Sequence, residues 1–189
     1  PVVLVLGESL PQVPWENLPC LRPQAVGRLP GVPFVLARAG RLSTRRPTSA
    51  AYLLNPDGNL TRTQEAMEAV LDAAKDKGIA VDGFAGCCPP VADLLPAINA
   101  AEAYLYFGHG AGDAHLPPLT VASQVAPSVD TVVLMGCSSG RLRPAGRYEP
   151  SGTPLAYLCA GVGAVVANLW DVTDKDIDRF AGAMLGAWL

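Results

Sequence analysis

Five short runs rich in Val, Leu and Tyr punctuate the chain, at residues 2–6, 52–54, 104–107, 131–135 and 164–169. Runs this short and this apolar suit strands covered on both faces. Helical patterns lie between several of them. The clearest is at residues 63–77, where Ala66, Met67, Val70, Leu71 and Ala74 share a face before Gly78 ends the helix; residues 153–160 and 174–189 come next. Strands alternating with helices imply parallel neighbours joined by right-handed crossovers, hence an α/β fold: a three-layer α/β/α sandwich with a mainly parallel sheet. Residues 11–33, 40–49 and 142–152 are rich in Pro, Gly and Arg without sustained periodicity, and read as surface loops. No internal repeat is visible.

A chain of 189 residues, 50% of them hydrophobic, can bury one substantial core, so residues 1–189 read as one domain. A formal net charge of -3 offers no basic field to a phosphate backbone, so no direct nucleic-acid binding is expected, while a basic partner remains open. No apolar run approaches the roughly 18 to 20 residues of a membrane span, and residues 1–6 lack a charged leader, so the chain is expected to be soluble. It begins without Met and stops in an apolar helical pattern, which reads as a piece of a longer parent. Five cysteines, no CxxC pair and only His109 and His115 disfavour a disulfide framework or a structural zinc. A reducing compartment with one functional thiol fits better, the other four cysteines being small buried hydrophobes. No metal or cofactor is expected.

Open parallel sheets bind ligands beyond the carboxyl ends of their strands, where loops converge and helix N-termini point at the crevice. Read in order, those ends carry Asn55-Pro56-Asp57, Gly108-His109-Gly110, Gly136-Cys137-Ser138 and Trp170-Asp171. His109 lies between two glycines, and Cys137 follows another, so both should emerge where backbone can approach a substrate closely. A thiolate nucleophile served by an imidazole suits hydrolysis at neutral pH. The natural oxyanion donors are the N–H groups of Gly110 and Cys137. His115 reads as an exposed loop residue, and Cys159, in the apolar run Leu155 to Ala160, as core.

Asp171, Asp174, Asp176 and Asp178 crowd into eight residues. One reading is a helix start, with Thr173 and Asp176 as a capping box and the dipole favouring negative charge. The other is a pocket for a cationic substrate side chain, because Asp174 and Asp178 lie four apart on one face. The two readings are compatible. Lys175 and Arg179 compete for the same carboxylates on a solvated face.

Residues 104–112 (YLYFGHGAG), 132–139 (VVLMGCSS) and 167–179 (ANLWDVTDKDIDR) together resemble the catalytic core of separase, with Cys137 placed 28 residues after His109. Pro14-Trp15-Glu16 and Leu54-Asn55-Pro56 extend the likeness through nearly the whole chain. The resemblance implies a caspase-like peptidase fold at the C-terminal end of a very large protein. It implies a cysteine endopeptidase that cuts the kleisin subunit of cohesin after Arg in Glu-x-x-Arg-type sites, releasing sister chromatids at anaphase. A securin-like inhibitor acts as pseudosubstrate, and the implied setting is cytoplasm and nucleus. Carried over, His109 is the catalytic histidine and Cys137 the nucleophile. The acidic segment reads the substrate Arg, with Asp178 first, Asp174 second, and Asp171 and Trp170 lining the same site. The residue that reads the substrate Glu stays unassigned.

Two rivals remain: a caspase-related protease with another substrate, and a catalytically inactive interaction module of the same fold. A glutamine amidotransferase or α/β-hydrolase places its nucleophile before the histidine, the reverse of the order here.

Overall fold

The computed structural model describes residues 2–7, 10–38, 45–146 and 148–189. In chain order the elements are β1 (Val2–Val5), β2 (Val26–Leu29), α1 (Val32–Arg38), β3 (Ser49–Leu54), α2 (Thr61–Asp76), β4 (Ala80–Ala85) and α3 (Val91–Asn99). They continue with β5 (Ala103–Phe107), α4 (Pro118–Gln124), β6 (Thr131–Met135), β7 (Arg143–Ala145), β8 (Tyr148–Ser151), α5 (Thr153–Ala160), β9 (Ala164–Ala167) and α6 (Asp174–Trp188). Five of the strands form one sheet in the order β4-β3-β5-β6-β9, every neighbouring pair parallel.

Side-chain alternation along the central strands divides the core in two. Tyr104, Tyr106, Val132 and Leu134 meet Leu94 and Ile98 of α3, Val121 of α4, and Ala156 and Tyr157 of α5. Ala103, Leu105, Phe107, Val133 and Met135 point the other way, onto Met67, Leu71 and Ala74 of α2 and Ile177, Ala181 and Leu185 of α6. This is the expected three-layer sandwich with a mainly parallel sheet. The three helical patterns expected from the sequence are present as α2, α5 and α6, although Ala66 of α2 is exposed and Thr63 takes a buried place on its inner face.

Three expectations need correction. The first apolar run, β1, pairs with β2 in a separate two-stranded sheet, so residues 11–33 hold a 3-10 turn (Trp15–Asn17) and a strand as well as loop. Arg28 of β2 organises this region, gripping both carboxylate oxygens of Glu16 at 2.5 Å and the carbonyls of Pro11 and Val13. The guanidinium holds the Glu16 carboxyl below the usual carboxylate range. In the main sheet one edge place belongs to β4, whose Asp82 and Gly83 interrupt the apolar pattern; an edge strand needs no continuous apolar run. Within the expected loop 142–152, β7 and β8 pair antiparallel. Of the expected loop at 40–49, residues 40–44 lie outside the described residues, and Ser49 already opens β3.

Candidate active site

Strands β5 and β6 end level with each other. Their ladder closes with Phe107 opposite Met135, on strands about 4.8 Å apart, and two residues further along each chain come His109 and Cys137, in the turns beyond the strand ends. The turns after the two strands touch through backbone. A Cβ on Gly136 would sit 2.0 Å from the carbonyl oxygen of Gly110 and 2.4 Å from that of Gly108, so only glycine permits this approach. Tyr106 donates its phenol hydrogen to the His109 carbonyl at 2.6 Å, and burial holds the phenol pKa far above its usual value, so the donor stays neutral.

The His109 ring is exposed, and its Nε2 lies 2.9 Å from Oδ1 of Asn59, in the loop after β3. An amide oxygen only accepts, so Nε2 carries the hydrogen and Nδ1 keeps the lone pair that can take a proton. Cys137 is half-buried among the residues beneath α2 and α6, and its thiol donates to the Val172 carbonyl at 2.9 Å. Thiol and imidazole are thus each held by another partner here, as is common before a substrate draws a catalytic pair together. Among the described residues, neither the Gly110 nor the Cys137 backbone N–H has a hydrogen-bond acceptor, and Gly110 adopts φ +59°.

The turn after Cys137 is stitched to the end of β9. Ser138 takes φ +52°, rare for a residue with a side chain. Its N–H bonds the Trp170 carbonyl at 3.0 Å and its hydroxyl bonds Asp171 at 2.7 Å. Ser139 donates to the Leu134 carbonyl and accepts from the Asn168 N–H, while the Asn168 amide donates to the Gly136 carbonyl. Asp171 therefore helps hold the Cys137 turn, and Trp170 is exposed beside it.

Thr173 caps α6 by accepting from the Asp176 N–H, and Asp176 also pairs with Arg179 at 3.1 Å. The capping reading therefore holds for Asp176. Asp178 is different: it is half-buried, and among the described residues it faces no cation, only the Thr63 hydroxyl of α2 at 3.0 Å. Burial pushes its pKa up and the Asp174 charge adds to this, while the Thr63 bond opposes both. Asp174 itself is exposed.

A family model described as the protease domain of separin matches residues 1–177. The chain belongs to the separin protease-domain family. Separins are cysteine proteases. The chain is 42% identical to separin of Schizosaccharomyces pombe over 98% of its own length and 10% of the relative's, and 36% identical to separin of Mus musculus over 100% and 9%. It spans about a tenth of the length of these relatives. It also superposes on the crystal structure of the Saccharomyces cerevisiae separase–securin complex at 2.6 Å resolution, with TM-score 0.81 and 29% identity, covering 95% of this chain and 12% of that one.

Against this separin frame, the structure brings His109, Gly110, Cys137, Trp170 and Asp171 to one rim of the sheet, and sets Asp178 on α6 against α2. Sequence reasoning missed Asn59. Its only signal was a place four residues beyond Asn55 in a polar strand-end loop, and Asn55 proves to be that loop's scaffold. Buried at φ +50°, Asn55 accepts from the Leu60 N–H and donates to Gln64, which bends the loop toward His109. Two other readings are overturned. His115 is not an exposed loop residue, since 12% of its side chain is accessible. Cys159 is exposed, as are Cys20, Cys87 and Cys88. α5 turns Ala156 and Tyr157 toward the sheet, which leaves Cys159, two residues past Tyr157, on the other side of the helix.

Proposed function

We propose that this chain is the catalytic region, a single domain, of a separase that cuts a cohesin kleisin after Arg in Glu-x-x-Arg-type sites at sister chromatid separation, and that a securin-like inhibitor occupies the same groove. The observation that carries the reading is that the neighbouring strands β5 and β6 end level, two residues before His109 and Cys137, with their following turns in a contact that only Gly136 allows. His109 Nδ1 takes the Cys137 proton, and the thiolate adds to the scissile carbonyl. The N–H groups of Gly110 and Cys137 receive the oxyanion, each such donor being worth on the order of 100 to 1,000-fold in rate. The imidazolium then protonates the leaving amine, and water hydrolyses the thioester. Asn59 keeps the histidine in the tautomer this needs, the part an asparagine plays in papain-like proteases.

Asp178 is the first choice for the substrate Arg, with Asp174 second and Asp171 and Trp170 at the rim. A half-buried carboxylate with no protein cation suits an incoming guanidinium, a charge-assisted bond worth about 1.5 to 3 kcal/mol. The securin-bound state of the yeast structure supports an inhibitor of that kind for this chain. The proposed setting is cytoplasm and nucleus; among the described residues no helix is long and apolar enough to cross a membrane.

The test is cleavage of a kleisin-derived Glu-x-x-Arg peptide by the full-length protein and its Cys137→Ser and Cys159→Ser variants. Loss of cutting in Cys137→Ser alone is expected. Cutting that survives Cys137→Ser overturns the mechanism, and a wild-type preference for peptides ending in Asp overturns the substrate class.

A further inference from the structure

A second cysteine–histidine pair sits on the same rim, at the other end of the same loop. Cys88, just past β4, has its Sγ 3.2 Å from Nδ1 of His115, in the segment after β5. On the far side of that ring, Nε2 lies 3.7 Å from Oδ2 of Asp57, in the loop after β3. The phenyl ring of Tyr106 leans on the imidazole, with centroids 6.4 Å apart. Thiol, imidazole and carboxylate therefore line up across three strand ends. The spacing fits one tautomer: the thiol hydrogen donates to Nδ1, and the Nε2 hydrogen points toward the carboxylate. The sulfur also lies 3.6 Å from the Pro89 carbonyl, a longer and weaker alternative for its hydrogen. Among the described residues no three such side chains are grouped to hold a metal ion.

We propose that Cys88, His115 and Asp57 form a second reactive-thiol site, open to covalent modification by small soft electrophiles and separate from the Cys137 centre. In the reaction the Cys88 sulfur forms a bond to the electrophilic carbon, and the leaving group departs with its electron pair. The thiol proton passes to Nδ1 of His115, and the resulting imidazolium pairs with Asp57. Cys88 is exposed, so the electrophile reaches it without opening the fold. Cys87 supplies an internal control, being also exposed, one residue away, and among the described residues hydrogen-bonded to no imidazole. The inference is independent of the protease reading.

The experiment is limited alkylation of the full-length protein by iodoacetamide in a Cys137→Ser background, with the rate at each cysteine followed by peptide mass spectrometry. A well-placed base contributes on the order of 100-fold or more in an enclosed site, so at this exposed one Cys88 should react about tenfold faster than Cys87. His115→Gln should bring Cys88 down to the Cys87 rate while Cys87, Cys20 and Cys159 keep theirs, which distinguishes a lost base from a disturbed fold. Asp57→Asn, at a more exposed side chain, should give an intermediate rate and stands in if His115→Gln does not fold. Equal rates at Cys87 and Cys88 in the parent, or a Cys88 rate unmoved by His115→Gln or Asp57→Asn, overturn the proposal.

Discussion

The two cysteine–histidine pairs lean on opposite ends of one loop, Asn59 facing His109 and Asp57 facing His115, yet they are built differently. At the β5–β6 rim the sulfur is half-buried, its turn is tied to residues 168–171, just past β9, by five hydrogen bonds, and backbone meets backbone at Gly136. Toward β4 the thiol is exposed, and the nearest carboxylate stands at ion-pair distance. Fixed backbone donors beside an enclosed thiol suit a reaction with a charged intermediate, while an exposed thiol with a base beside it is open to modification. Chemistry of the side chains is nearly shared, and enclosure separates the two.

The largest effect that would break this contrast comes from the nucleophiles themselves. Cys137→Ser should abolish peptide cleavage, while Cys88→Ser should leave kcat/KM within about twofold, since on this reading Cys88 touches no reacting atom. Loss of cleavage in Cys88→Ser would merge the two sites into one. Gly136→Ala comes next, because its Cβ would collide with two carbonyl oxygens and neither turn can yield cheaply. A loss of more than about 3 kcal/mol in unfolding free energy, with no residual cleavage, is expected by denaturant titration.

Asp178→Asn tests the acidic pocket. Removing a charge-assisted bond should cost on the order of 10 to 100-fold in kcat/KM for an Arg substrate. Stability should move the other way. The folded-state pKa of Asp178 is raised, so the fold favours its protonated form, a stabilisation present at low pH and lost as pH rises through that raised value. At neutral pH the ionised carboxylate is therefore a burden, and Asp178→Asn should raise Tm. The same raised pKa means that Arg-peptide binding weakens as pH falls through it. Smallest is Asn59→Ala, expected to lower kcat by about tenfold with KM little changed, since it orients the imidazole without touching substrate. Partial recovery in Asn59→Asp, which keeps an acceptor oxygen, would separate orientation from packing.

Much of this was legible in the linear sequence because it is periodic or local. Short apolar runs alternating with helical faces imply a parallel sheet with two covered sides, and the core divides as that alternation requires. The place of His109 and Cys137 at strand ends followed from the runs that precede them, and the cap of α6 from Thr173 and Asp176. Elements at the margin were harder. β4 carries Asp82 and Gly83, and β2 hides in a Pro-rich stretch where its partner and the Arg28 clasp, rather than its own pattern, make it a strand.

By itself the sequence determined the layer order, the strand ends that bear His109 and Cys137 and the charge of the α6 start, since each depends on residues adjacent in the chain. Only the tertiary structure decided which loop reaches which histidine, which aspartate of α6 is half-buried against Thr63, and which cysteines face solvent. Asn59 and His109 are 50 residues apart in the chain and Thr63 and Asp178 are 115 apart, and such pairs meet because sheet register and helix packing bring them together.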